Sequence, residues 1–200
     1  VGVIVSTEGK KSREVVEYGI EALKAVWHRG AVDADGKTGD GAGIHVEIPK
    51  DFFIEKIEVT GHDYDNSEIC VGMIFLPRND YSAQESCKTI VESELTKNNF
   101  SIYGWRQVPV NPKILGQKAL QTMPEIIQVL FKSNDKNLLD KNLERKIYET
   151  RKKIEKEAFK LSLNNFYICS ISSKSIIYKG LYLAEAISDF YSDLKDKRFI

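Results

Sequence analysis

The sequence predicts an α+β fold with largely antiparallel sheets, and three observations lead there. Short apolar runs with strand character come mostly in neighbouring pairs, and amphipathic segments of helical period separate them. The order reads strand, helix, strand, strand, helix, strand, strand, helix, strand, strand; paired strands with helices between them pack as layers. No internal repeat, low-complexity run or linker interrupts the 200 residues, so they read as one domain or part of one. A chain of this length buries roughly 70% of its unfolded surface.

Residues 1–6, VGVIVS, form a β-branched run that reads as a strand buried on both faces. Gly9-Lys10-Lys11 makes a turn. Ser12 is placed to N-cap a helix with Glu14 in its first turn; Val16, Ile20, Leu23 and Trp27 then recur at helical spacing until the basic pair His28-Arg29. Residues 43–48 read as a strand in which His45 and Glu47 alternate with Ile44, Val46 and Ile48. Pro49 stops it, and Asp51-Phe52-Phe53 starts a short helix. After a polar connection over 61–67, EICVGMIFL at 68–76 is a buried central strand, 77–80 a turn and 82–97 a helix. Residues 100–110 read as a strand broken near its end by Pro109, 113–122 as a short helix and 125–131 as a further strand. The longest helix covers 139–160, with Leu139, Leu143, Ile147, Ile154 and Ala158 on one stripe and a solvated, charged face opposite. Residues 165–172 and 175–180 read as the two strands of a hairpin, and 182–191 as a final short helix.

Charge and composition exclude several classes. The 29 basic and 29 acidic residues cancel, so no field draws the chain to nucleic acid or to an anionic membrane. No apolar run has the length of a membrane span, and no basic segment precedes the apolar start as a signal peptide would require. The three cysteines, Cys70, Cys87 and Cys169, are odd in number and widely spaced; they fit neither a disulfide framework nor a zinc motif and read as reduced, structural thiols of a cytoplasmic protein. His28, His45 and His62 are too scattered for a metal site, and His62-Asp63-Tyr64-Asp65 reads as an exposed turn. No Gly-x-Ser-x-Gly elbow is present.

The chemistry concentrates in residues 28–43, HRGAVDADGKTGDGAG, which hold five glycines and three aspartates between a helix and a strand. Such loops permit unusual φ angles and close backbone approach, and often carry function; the same composition also fits a flexible surface loop. Gly36-Lys37-Thr38 is not a phosphate-binding P-loop, because Ala31 stands where its first Gly belongs and Gly39-Asp40-Gly41 follows where a helix must start. Asp33, Asp35 and Asp40 do not make an EF-hand, because Lys37 replaces a ligand and no Glu closes the loop.

This loop resembles that of the amidotransferase domain of glutamate synthase large subunits, a class II glutamine amidotransferase of the N-terminal-nucleophile type. The resemblance extends through VGVIVSTEG, IPKDFF, YGWRQVPVN, LGQKALQTMPEIIQV, LERKIYETRKKIEKEA, FYICSISSKSIIYKGLYLAE and FYSDLKDKRF. It implies a four-layer αββα sandwich of the N-terminal-nucleophile hydrolase type, with residues 1–200 a partial, incomplete domain. It implies hydrolysis of L-glutamine by an N-terminal cysteine whose α-amino group is the base. It also implies transfer of the ammonia through a tunnel to 2-oxoglutarate, reduced to glutamate at an FMN and an iron–sulfur cluster elsewhere in the full-length subunit. A small subunit or ferredoxin is implied as electron donor, and a cytoplasmic or plastid location.

Keeping Gly9 and the His28-Arg29-Gly30 loop in step with the family places the nucleophilic cysteine two positions before Val1, so no catalytic nucleophile is expected within the chain. A second register, with Val1 in place of that cysteine, is out of step by two at Gly9. The family's His-Ser-Arg-Phe-Ser-Thr-Asn block and its oxyanion-hole Asn-Gly are expected after Ile200. By resemblance, His28, Arg29, Gly30, Asp40 and Gly41 are substrate-binding or site-supporting residues. Arg29 would either lower the pKa of the thiolate or brace the loop through carbonyls. The fragment is expected to be inactive by itself. Two other readings remain at this stage: a scaffold domain of the same fold without a nucleophile, and a hydrolase using Cys70, Cys87 or Cys169.

Overall fold

The computed structural model describes residues 1–200 and has six strands and six α-helices. The strands are β1 (Ala42–Glu47), β2 (Cys70–Leu76), β3 (Phe100–Gln107), β4 (Glu125–Ser133), β5 (Tyr167–Ser172) and β6 (Ser175–Gly180). The helices are α1 (Arg13–Ala25), α2 (Lys50–Val59), α3 (Tyr81–Lys97), α4 (Gln117–Thr122), α5 (Asp140–Lys160) and α6 (Ile187–Phe190). The chain divides into two units: residues Val1–Pro49, Val108–Met123 and Ile177–Ile200 in one, Lys50–Gln107 and Pro124–Ile176 in the other.

The second unit is built on β2, whose run of apolar residues suits only the middle of a sheet. It pairs antiparallel with β4 on one side and β5 on the other, and β3 pairs antiparallel with the outer side of β4. One face of this sheet carries Ile74, Val129, Phe131 and Ile168, packed against Cys87, Val91 and Leu95 of α3 and Leu143, Ile147 and Ile154 of α5. The α5 stripe is therefore the predicted one without Leu139, which sits at the N-cap and is exposed. Asp80 caps α3 by accepting from the Ala83 amide at 2.9 Å. The polar connection before β2 is anchored by Asp65, which accepts from the Tyr103 hydroxyl at 2.7 Å and the Lys132 ammonium at 2.5 Å. Those two donors, Lys132 foremost, hold its carboxyl far below the usual carboxylate range.

The first unit pairs β1 with β6. Ser12 caps α1 as predicted, its hydroxyl accepting from the Glu14 amide at 3.2 Å. Val16 and Ile20 of α1 are buried, and Ile44 of β1 lies against Gly19. Tyr178, Tyr182, Phe190, Tyr191 and Phe199 form an aromatic cluster with mostly edge-on contacts. Inside it the Tyr178 hydroxyl donates to buried Asp193 at 3.1 Å.

Four expectations are corrected. Residues 1–6 are not a strand: they join neither sheet, and Val1, Val3 and Val5 are exposed. A β-branched run has the preference for a strand, but a strand also needs a neighbour for its backbone groups. Trp27 lies beyond α1 in a 3₁₀ turn (Trp27–Arg29) and is 63% exposed, so it does not continue the packed stripe. Of 182–191 only Ile187–Phe190 is α-helical, between 3₁₀ turns, because Tyr182, Phe190 and Tyr191 all turn into one cluster.

The fourth correction is the hairpin: β5 pairs with β2 and β6 with β1, not with each other. A two-residue hairpin turn needs positive φ, and neither Ser173 nor Lys174 has it. Instead Glu144 of α5 accepts from the Ser173 amide (2.6 Å), the Ser173 hydroxyl (2.7 Å) and the Ser172 hydroxyl (2.9 Å), pinning a corner that sends β6 away. Glu144→Ala leaves the Ser173 amide unpaired and is expected to destabilise the fold by about 1–3 kcal/mol. Urea unfolding measures this, and an unchanged midpoint would show that the corner forms without Glu144.

Candidate functional site

The glycine-rich stretch is ordered from end to end by its own hydrogen bonds. Arg29 and Gly30 close the 3₁₀ turn, their amides donating to Val26 O at 2.9 Å and Trp27 O at 3.0 Å. The chain then runs out and back: Asp40 N donates to Ala31 O at 3.2 Å, Val32 bridges Gly39, and Asp33 N donates to Thr38 O at 2.9 Å. At the tip Gly36 N reaches Asp33 O at 2.9 Å, with Gly36 at φ +69, the left-handed region that glycine enters without steric cost. Thr38 is followed by the strand β1, so the structure also has no P-loop helix here.

Asp35 organises the tip. Its carboxylate accepts from the Thr38 hydroxyl (2.6 Å), the Thr38 amide (2.7 Å) and the Lys37 amide (2.9 Å). These donors hold its carboxyl far below the ordinary value of 3.8, the Thr38 hydroxyl contributing most and the Lys118 amide of α4 adding to them. Asp33 is also lowered, first by the Lys118 ammonium at 2.8 Å and then by the Ala34 amide at 2.7 Å. Both carboxylates are therefore anchors for the loop rather than proton carriers near neutrality.

The base of the loop lines a cavity of about 480 Å³, within the range that holds a small ligand. Arg29, Gly30, Asp40 and Gly41 line it together with Tyr182 to Glu185. Leu23, Val26 and Trp27 add apolar surface. The Arg29 guanidinium and the Asp40 carboxylate make no hydrogen bond or ion pair within the chain. Arg29 thus does not brace the loop through carbonyls. Asp40 leans over Gly30, its Oδ1 lying 3.3 Å from where a Cβ at that position would stand. The cavity therefore presents the Arg29 cation together with the Asp40 and Glu185 carboxylates.

Of the five residues singled out in the sequence, four surround this cavity; His28 is exposed and does not line it. The structure adds the wall at Tyr182 to Glu185, which the sequence placed in a helix, and the contribution of α4. A signal for α4 is present in the sequence: Gly116 stands where a capping side chain would be expected. None of the three thiols is among the residues that line the cavity. Cys70 and Cys87 lie in the sheet-and-helix core of the other unit and Cys169 on β5. Burial pushes the Cys70 thiol up strongly, aided by Glu144 and Glu68, and pushes Cys87 up to about 11, so neither is poised to be a nucleophile.

Known proteins align with the whole chain. The family profile for class II glutamine amidotransferases matches residues 1–200. The chain is 54% identical over 199 residues to the glutamate synthase [NADPH] large chain of Azospirillum brasilense, covering all of this chain and 13% of that protein. It is 35% identical over 201 residues to the chloroplastic ferredoxin-dependent glutamate synthase of Spinacia oleracea, and 38% over 201 residues to ferredoxin-dependent glutamate synthase 1 of Arabidopsis thaliana. In both cases the chain is covered completely and spans 12% of the relative.

Because the Asp35 carboxyl is depressed in the folded chain, its contribution to loop order is complete above its unfolded value of 3.8 and is lost as pH falls below it. The amide resonances of Lys37 and Thr38 are therefore expected to hold their folded shifts from neutrality down to about pH 4 and to move only in stronger acid. A transition centred near about pH 6 would contradict the Asp35 anchor.

Proposed function

This chain belongs to the class II glutamine amidotransferases, and we propose that it is the glutaminase portion of a glutamate synthase large subunit. The α+β class with antiparallel pairing in the larger sheet is that of the family's N-terminal-nucleophile fold. The proposed reaction is hydrolysis of L-glutamine to glutamate and ammonia, the ammonia passing to 2-oxoglutarate for reductive glutamate synthesis. The observation that carries the reading is the match over all 200 residues, in which the most family-like loop is also the one that lines the cavity.

The proposed chemistry needs a thiolate, and the buried cysteines argue against an internal one. We assign it to a cysteine two positions before Val1 in the full-length chain, with its own α-amino group as base. The thiolate adds to the amide carbon of glutamine, and the C–N bond breaks as the α-ammonium returns its proton to the departing ammonia. The resulting thioester takes up water and releases glutamate and the thiol. Arg29, which lines the cavity without a partner in the chain, is assigned the role of favouring the thiolate over the thiol. His28, Gly30, Asp40 and Gly41 support the loop around it. The 200-residue chain alone would then be inactive.

The chain gathers no group of three or more His, Cys, Asp or Glu side chains that could hold a metal, and its thiols are dispersed. An iron–sulfur cluster therefore does not fit these residues, and no step here runs through it or through FMN. They are assigned, with the docking of a small subunit or ferredoxin, to the remainder of the subunit. No helix is long and apolar enough to cross a membrane; a cytoplasmic or plastid location is proposed, in keeping with three free cysteines.

Two experiments test the reading. The full-length protein treated with a diazoketone analogue of glutamine is expected to carry one adduct, mapped by mass spectrometry to the cysteine upstream of Val1. Alanine at Cys70, Cys87 or Cys169 should leave glutamine hydrolysis unchanged. An adduct on any of those three overturns the assignment, and no adduct at all favours a scaffold without a nucleophile. Arg29→Met should move the acidic limb of the kcat/KM profile up by about 0.5–1 pH unit. A uniform loss of rate with an unmoved profile would contradict the electrostatic role.

A further inference from the structure

We infer that α4 is a positioning element for the cavity, acting through a reciprocal cap between Gly116 and the tip of the glycine-rich loop. The inference rests on the amidotransferase reading and concerns residues outside the loop.

The N-terminus of α4 lacks a cap of its own. Gly116 occupies the N-cap position, and no side chain satisfies the first amides of the helix from within it. The loop supplies what is missing. The Thr38 hydroxyl oxygen accepts from the Ala119 amide at 3.4 Å, and the Asp35 carboxylate lies against Gly116. The Lys118 ammonium returns the contact by donating to Asp33 at 2.8 Å.

This fit requires glycine at 116. A Cβ there would stand 2.2 Å from Asp35 Oδ2, 2.3 Å from Thr38 Oγ1 and 2.6 Å from the Thr38 amide nitrogen. The Asp35 oxygen cannot swing aside at little cost, because the same carboxylate holds the Lys37 and Thr38 amides. Any side chain at 116 therefore pushes the loop away from α4. On its other flank the loop is stopped by backbone: a Cβ at Gly39 would meet Tyr182 O at 2.6 Å. The loop is thus held between α4 and the Tyr182 backbone, and Arg29, Gly30, Asp40 and Gly41 take their positions from that grip. Displacing the tip moves the unpaired guanidinium and carboxylate relative to each other and to the bound substrate. A misplacement of about 1 Å at such groups costs as much as 100-fold in rate.

The test uses the full-length protein with glutamine as substrate. In Gly116→Ala, hydrogen exchange of the peptide covering 31–40 should accelerate while exchange in β2 and β4 stays as in the parent. Glutamine hydrolysis should lose about tenfold or more in kcat/KM, with KM rising more than kcat falls. Lys118→Met, which removes only the Asp33 contact, should give the same pattern at about two- to threefold, and it serves if Gly116→Ala does not fold. Gln117→Ala, one residue away and exposed, should match the parent. Unchanged exchange in the loop overturns the inference, as does faster exchange with unaltered kinetics. If the parent itself does not hydrolyse glutamine, the amidotransferase reading fails, and the exchange measurement alone then decides whether α4 grips the loop.

Discussion

A carboxylate that carries no chemistry of its own holds the candidate site in shape. Asp35 gathers the Thr38 hydroxyl and two loop amides around one side chain. A loop with this many glycines has a large conformational entropy to lose, and without a fixed centre it would sample many shapes. The close approach at Gly116 and the contact of Gly39 with the Tyr182 backbone follow from that centre. So does the placement of Arg29 and Asp40 at the loop's base, each left without a partner in the chain. Unpaired opposite charges beside a small cavity are features a site keeps for a ligand, whereas the paired Asp33 and Lys118 at the tip serve the loop itself.

The antiparallel sheet answers a different demand. Its core of β2, β4, α3 and α5 side chains encloses Cys70 and Cys87 so completely that their thiols are held in the neutral form. Burial that favours packing therefore also keeps these cysteines chemically silent. A nucleophile must be sought where a thiol can ionise. The fold and the proposed chemistry agree on this point: the groups built for stability and the groups left available for a ligand do not overlap.

Much of the architecture was legible in the residues. Ser12 caps α1, the β2 run is central, and the α5 stripe is packed, because period and burial dictate those elements locally. The loop was legible as a candidate site from its glycines and aspartates and from its likeness to a family. The misreadings share a cause: each depended on contacts distant in sequence. Residues 1–6 have strand propensity without a pairing partner. The corner between β5 and β6 is set by Glu144, about a turn into a helix far earlier in the chain. The wall at Tyr182 to Glu185 and the grip of α4 are invisible to periodicity, since close packing against Gly116 has no local signature beyond the glycine itself. The chain spans only 12–13% of the length of the relatives reported above, so the rest of the proposed reaction lies in sequence that these residues cannot specify.

The most direct measurement follows nitrogen. The full-length protein is supplied with glutamine labelled with ¹⁵N at the amide, unlabelled 2-oxoglutarate and a reductant, and the glutamate formed is examined by mass spectrometry. The account predicts ¹⁵N in the α-amino group of glutamate built on the 2-oxoglutarate carbon skeleton, and loss of that label when the cysteine upstream of Val1 is replaced. Glutamine recovered intact, with no labelled glutamate or ammonia, would contradict the assignment of these residues to a working amidotransferase.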